Sequence, residues 1–271
     1  MRIPFTQIDA FADGPFGGNP AAVMPLAAWL DDAVLLAIAA ENNLSETAFL
    51  VPADGTEADF ELRWFTPAAE VALCGHATFA SGHMVLSSDP AIDRVRFATR
   101  RAGILEVARD GAGYRMRLPA WAPSPRPLDS IVAALGLAPE AVEATLWHEK
   151  GYALVIVGDE ARVQDCAPDM RALAAEGGIV AIVAAAGAGG AGATDIVSRV
   201  FVPAFGIDED PVTGSAHAVM VPYWAQRLGR DRFTAFQASA RGGRLTCTLA
   251  GDHVILGGTC VTVIEGTFLL P

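Results

Sequence analysis

"LRWFTPAAEVALCGHATFASGHMVL" (62–86) and "SRVFVPAFGIDEDPVTGSAHAVMVPYW" (198–224) are two versions of one pattern. Each runs Arg, one residue, Phe, one residue, Pro, then a loop, then Gly with an imidazole or small polar residue, then an apolar stretch rich in small side chains. Further along, "RAGIL" at Arg101 answers "RGGRL" at Arg241. From Gly75 to Gly103 is 28 residues, and from Gly214 to Gly243 is 29. Two anchors held in register through a strand, a turn, a helix and the next strand mark an internal duplication. The chain therefore reads as two similar domains, 1–121 and 128–261, with 262–271 as a strand that packs back on the first. Their boundary is expected in "LPAWAPSPRPLDS" (118–130), which carries four prolines and little periodic pattern.

Within the first half, "IPFTQIDAFA", "PAAVMPL", "ETAFLVPA", "FELRWFTP", "RVRFAT", "ILEVARD" and "YRMRLPA" read as strands, and "WLDDAVLLAIAAENN" as an amphipathic helix. The helix that begins near Gly75 is apolar on nearly all sides. Such a helix belongs in the middle of a structure, so the expectation is an α+β fold of two pseudo-symmetric domains, each a strongly curved, barrel-like mixed sheet around a central helix.

Composition narrows the chemistry. With 271 residues, 52% of them hydrophobic, the chain can build proper cores. A net charge of −12 argues against nucleic acid and against an anionic membrane surface, since both would be repelled. The opening "MRIPFTQIDAFADGPFGGNP" has one arginine, no long apolar run and three prolines, unlike a signal peptide. "GGIVAIVAAAGAGGAGAT" from Gly177 reads as a strand and a loop rather than a membrane span. A soluble cytoplasmic protein is expected. Four scattered cysteines (74, 166, 247, 260) form no CxxC pair, and no HExxH is present, so no metal site is assigned. Lys150 is the only lysine, and it lies in the strand-like "HEKGYALVIVG" rather than in a GK[ST] loop, which leaves neither a P-loop nor an evident Schiff-base lysine.

Several residues remain as candidates. Gly75-His76 and Gly214-Ser215 open the two equivalent helices, where unpaired N–H groups and the positive end of the helix dipole suit a small carboxylate. If the two ends face each other, the cleft holds two anion sites; the alternative is that the glycines simply turn the chain into core helices. Glu46, between a helix end and a strand, has no Lys or Arg near it in sequence. There it is either a desolvated carboxylate with a raised pKa, fit for proton transfer, or an exposed strand-end acid. Of Asp208, Glu209 and Asp210, which also read as a solvated turn or as helix caps, Asp210 is placed to orient an imidazole, with His76 as the obvious partner. Cys74, at a helix start, is expected to be acidified. Its i, i+2 spacing to His76 makes direct proton transfer awkward, however, and its counterpart in the second half is Thr213, so a packing role competes with a nucleophilic one. His217 could line the cleft; His83, His148 and His253 show no pattern.

"GGNPAAV" (17–23), "NLSETAF" (43–49), "LCGHAT" (73–78) and "EDPVTGSA" (209–216), in this order, resemble the phenazine-biosynthesis PhzF-like isomerase family within the diaminopimelate epimerase superfamily. The resemblance implies a cofactor-free active site in the cleft between the domains, and a homodimer. It makes Glu46 the general acid/base, aided by His76, Asp210 and Ser215, with Gly75, Gly214, Ser45 and Asn19 holding the substrate carboxylate. The related epimerases carry a cysteine before each glycine, where this chain has Cys74 but Thr213. That departure favours proton transfer by one carboxylate over thiol-based racemisation. A Cys74-dependent epimerase, and a small-molecule binding protein without turnover, stay as the other readings.

Overall fold

A computed structural model of the chain describes residues 1–55, 57–190 and 192–270. Ala191, in the glycine-rich run after Gly177, and Pro271, at the end of the expected returning strand, lie outside the described residues. Two compact units result, Met1–Arg117 with Gly257–Pro271, and Leu118–Leu256.

In the first unit, Cys260–Leu269 lies antiparallel on Arg2–Ala10, which is antiparallel to Asn19–Pro25. The sheet continues with Glu46–Pro52 (parallel), Phe60–Phe65 (antiparallel), Arg94–Thr99 (parallel), and Ile104–Asp110 and Gly113–Pro119 (both antiparallel). In the second unit, Val142–His148 and Tyr152–Val157 are antiparallel, Val180–Ala186 adds parallel, Ile196–Val202 antiparallel, Arg232–Gln237 parallel and Gly243–Ala250 antiparallel. The alternation of directions is the same in both. Lys150 sits in the tight turn between Val142–His148 and Tyr152–Val157 rather than within a strand.

Each parallel step needs a crossover, and helices supply it. The helices are α1 (Asp32–Asn42), α2 (Gly75–Ser88), α3 (Asp129–Ala134), α4 (Glu160–Gln164), α5 (Met170–Ala175) and α6 (Gly214–Leu228). The helix α2 is buried continuously from Gly75 to Gly82 and packs against strands from opposite ends of its sheet, as a central helix must. A glycine at position 82 is required there, because a Cβ would come within 2.4 Å of the Val107 side chain. On the other face of the sheet, α1 packs Leu35, Ile38 and Ala39 against Met24, Phe49 and Phe65. The second unit repeats the plan: α6 buries Ala216, Ala218–Val221 and Trp224, while α3, α4 and α5 contribute Ile131, Val163 and Leu173 to a cluster with Val155 and Val183. Strands covered on both faces carry continuous apolar runs such as "TAFLV" and "YALVIV" instead of alternating ones.

The repeated Arg-x-Phe-x-Pro has a physical cause. The Arg63 side chain, 2% exposed, forks onto Glu70 through Nε–Oε1 and Nη2–Oε2, both at 2.8 Å, and its guanidinium lies 4.9 Å from the Phe65 ring centroid. Arg199 does the same with Glu209, at 2.8 and 2.9 Å, and lies 4.9 Å from the Phe201 ring. Each glutamate belongs to a short strand that folds back on the arginine's own strand, and each stands five residues before the glycine that opens α2 or α6. Bidentate Arg–carboxylate pairing is directional, so each fork sets where its loop enters the helix. The Arg63 guanidinium also reaches Asp32 at 2.8 Å, and its hydrogen bond holds that carboxyl below the usual range. Arg63→Met removes a buried guanidinium and leaves the half-buried Glu70 carboxylate without its fork, while the exposed Asp32 returns to solvent, and we expect a loss of about 2–4 kcal/mol in urea unfolding. A change within experimental error would show that the fork does not support the fold.

Candidate active site

Three elements of the first unit bring one cluster together. Asn19 opens the strand Asn19–Pro25, and Glu46 opens its parallel neighbour, in register with Ala21. The chain reaches Glu46 through Asn43, whose left-handed φ of 49° ends α1, and Ser45 follows at the turn. His76 is the second residue of α2 and is 4% exposed. Its Nδ1 lies 3.1 Å from Asn19 Nδ2, and its Nε2 lies 3.1 Å from Glu46 Oε2 and 3.5 Å from Ser45 Oγ. Ser45 Oγ in turn donates within 3.0 Å of Asn19 Oδ1 and of the Pro20 carbonyl. The ring is thus held by groups of its own unit, Asn19 on one side and Glu46 on the other.

The loop into Asn19 is strained. Phe11 and Phe16 have φ of 58° and 72°, a conformation that bulky residues rarely adopt. Phe11 is fixed by stacking on Phe79 of α2, with centroids 4.3 Å apart, and the Phe16 amide donates to the buried Asp9 carboxylate at 3.1 Å.

Cys74 departs from its sequence reading in two respects. Its Sγ lies 3.5 Å from His76 Nδ1, so thiol and imidazole do meet. The spacing argument applies to two residues inside a helix, whereas Cys74 is the extended N-cap (φ −137°, ψ 109°), a position whose side chain turns toward the first helical turn. The thiol is also not acidified: burial, reinforced by the Glu46 carboxylate, pushes it up to about 11, against the opposing influence of His76. Desolvation here outweighs the helix dipole. For His76, burial opposes the charged form, but the Cys74 sulfur and the Glu46 carboxylate raise its pKa well above the ordinary imidazole value. With the thiol neutral near pH 7, the ion pair at the site is that of His76 Nε2 with Glu46 Oε2, 3.1 Å apart. Glu46, Cys74 and His76 offer three donor atoms all within 4.8 Å of one another, the arrangement among the described residues that could hold a metal ion.

The equivalent position in the second unit carries a different network. Asp210 Oδ2 accepts from Thr213 Oγ1. Gln237, fully buried, donates through Nε2 to the Asp210 carbonyl at 2.7 Å and to Thr213 Oγ1 at 3.1 Å, and accepts from the Thr213 amide at 2.9 Å. Burial raises the pKa of the Tyr152 phenol, and the interaction with Ser215, the second residue of α6, opposes that shift. Gln237 and Tyr152 were not singled out from sequence. For Gln237 a signal existed: in "RFTAFQ" it falls on the inward-facing positions with Phe233 and Ala235, a polar group where an apolar one is expected. Tyr152 begins a wholly apolar strand and gave none. Gly75 and Gly214 both open their helices after an extended residue, and neither N-cap side chain caps its helix.

His217 is fully buried. Its Nδ1 bonds the Thr213 carbonyl at 2.8 Å, and its Nε2 has no hydrogen-bond partner. Burial lowers its pKa to about 4. The folded state therefore favours the neutral ring: its contribution is complete above the unfolded value of about 6.5 and is lost as pH falls from there to about 4, on the order of 3 kcal/mol. His217→Gln is expected to flatten stability across that window relative to the parent, measured by urea unfolding at a series of pH values. An unchanged pH dependence would show that His217 is not the source.

The sequence model of the phenazine biosynthesis-like proteins matches residues 8–266. An uncharacterized isomerase of Pseudomonas aeruginosa is 48% identical over 275 residues, covering 100% of both chains. The crystal structure of a phenazine biosynthesis protein of the PhzF family from Enterococcus faecalis has a TM-score of 0.89 at 40% identity, covering 100% of each chain. A hydroxyproline epimerase from Agrobacterium vitis, 13% identical, shares the fold with a TM-score of 0.64 over 98% of this chain and 92% of its own.

Proposed function

The chain belongs to the phenazine biosynthesis-like family, and we propose that it is a cofactor-independent isomerase in which Glu46 moves a proton between two carbons of a small carboxylic acid. The relatives named as isomerases support the reaction class. The observation that carries the finer reading is the Glu46–His76 pair, a carboxylate 15% exposed and 3.1 Å from an imidazole locked by Asn19.

The reaction balances without an electron carrier. Glu46 takes a proton from carbon, the electron pair left behind shifts along the conjugated system, and the same carboxyl returns the proton to a second carbon. His76, held near the charged form by its neighbours, stabilises the carboxylate between turnovers. The uncapped amides at the start of α2 suit the substrate carboxylate, which carries negative charge into a protein already at −12. Cys74 does not fit the role of base, because a thiol with a pKa near 11 supplies almost no thiolate at neutral pH.

The test is deuterium uptake from heavy water into a panel of small unsaturated and amino-substituted carboxylic acids, followed by mass spectrometry. The parent is expected to label one carbon of an accepted acid. Glu46→Gln, with its fold verified, is expected to lower that rate by about 10²–10⁴-fold, and Asp210→Asn and Ser215→Ala by smaller factors. Cys74→Ala keeps measurable exchange. The reverse pattern, with Glu46→Gln active and Cys74→Ala dead, would establish thiol-based racemisation, and no exchange in any acid would favour a binding protein.

A further inference from the structure

We propose that Glu46, Cys74 and His76 form a three-donor site for a thiophilic divalent cation, for which Zn²⁺ is the fitting ion. The site shares residues with the proton-transfer reading but does not depend on it.

The donor set is a carboxylate, a thiol and an imidazole, which are the ligand types zinc takes. Tetrahedral zinc, with bonds of about 2.0–2.3 Å to O, N and S, spaces its ligand atoms about 3.3–3.6 Å apart. Here His76 Nε2 is 3.1 Å from Glu46 Oε2 and 4.0 Å from Cys74 Sγ, and all three donors fall within 4.8 Å. Side-chain rotations that shift the sulfur by about an ångström would close the triangle on an ion.

Two further observations point to a ligand. Glu46 Oε2 is buried and accepts no hydrogen bond of proper geometry, although it lies at ion-pair distance from the imidazole. A buried carboxylate oxygen in that state has coordination capacity to spare. Asn19 meanwhile anchors His76 Nδ1 at 3.1 Å and leaves Nε2 to face Glu46. Zinc-bound histidines donate the N–H of the nitrogen that does not touch the metal, so with the metal bound at Nε2 the Asn19 amide turns its oxygen to Nδ1 and its nitrogen to Ser45 Oγ. Three protein ligands also leave a fourth position for water or another small ligand. The second unit has Thr213 and Ser215 at the corresponding places, so the duplication provides one such set and not two. On binding, the S–H bond breaks, its proton goes to solvent, and the sulfur bonds the metal. If Glu46 is the proton carrier, an occupied site is an inhibited one.

The experiment uses the full chain and Co²⁺ as a visible stand-in for Zn²⁺, without substrate. The expected result is one equivalent bound, with a thiolate-to-cobalt charge-transfer band that Zn²⁺ displaces. Cys74→Ser is expected to abolish the band. Glu46→Gln and His76→Gln are each expected to weaken Co²⁺ binding by at least the ten- to hundredfold typical of losing only an outer hydrogen-bond partner of a ligand. Circular dichroism checks each variant's fold, and Cys260→Ala, which removes a sulfur outside the cluster, keeps the band. The proposal is overturned if no band forms up to millimolar cobalt, or if the band survives Cys74→Ser. Because these readouts need no turnover, a failed Glu46 mechanism and a failed metal site give different results.

Discussion

The candidate site in the first unit depends on where α2 begins, and an Arg–Glu fork sets that, as another does for α6 in the second unit. A guanidinium set in mid-strand and fixed bidentately to a glutamate on the returning strand leaves the following loop little freedom of direction. Five residues later the chain enters α2 or α6. The cost of burying Arg63 is met by three kinds of partner at once, the Glu70 carboxylate, the Asp32 carboxylate and the faces of Trp29 and Phe65. Because Asp32 stands in the first turn of α1, the same arginine ties both crossover helices of the first unit to one strand.

This also explains why the duplication could be read from so little. Most of the two halves has drifted beyond recognition, since any apolar residue of suitable volume serves a covered strand. Arginine, the aromatic ring beneath it and the helix-opening glycine cannot be exchanged so freely, and these survive as the repeated string. The strands of the first half along the chain, the apolar helix that begins at Gly75 and the α+β class were therefore legible. The contacts of Cys74 were not, because they depend on one N-cap residue adopting extended geometry and on the balance between desolvation and a helix dipole. Sequence shows that a thiol starts a helix, but not how deeply it is buried. Tyr152 was hidden for a related reason: an aromatic residue at the head of an apolar strand looks like core until the fold shows Ser215 acting on its phenol.

The two helix starts differ in a way that follows from three substitutions along one helical turn. Cys74, His76 and Thr78 in α2 correspond to Thr213, Ser215 and His217 in α6. In both helices the third of these bonds back to the carbonyl of the first, Thr78 Oγ1 to Cys74 at 2.6 Å and His217 Nδ1 to Thr213 at 2.8 Å. The backbone device is conserved between the halves while the chemistry is reassigned. The imidazole at the second position of α2 lies beside a carboxylate that favours its charge, whereas the imidazole at the fourth position of α6 is enclosed and kept neutral. One duplicated scaffold thus shifts the pKa values of its two histidines in opposite directions.

That division has a consequence for how a strongly acidic chain can handle an anion. The second unit's cluster around Thr213 is knit by Gln237 and by hydroxyl groups, whose hydrogen bonds leave no net positive charge. In the first unit the group beside Glu46 that can carry positive charge is the buried His76 imidazole, whose pKa, opposed by burial, is raised by the Cys74 sulfur and the Glu46 carboxylate. Protonation of Glu46 would remove one of the two contacts, the Cys74 sulfur being the other, that raise the pKa of His76 against burial. Proton transfer to Glu46 and the charge on His76 are therefore coupled through a single 3.1 Å contact.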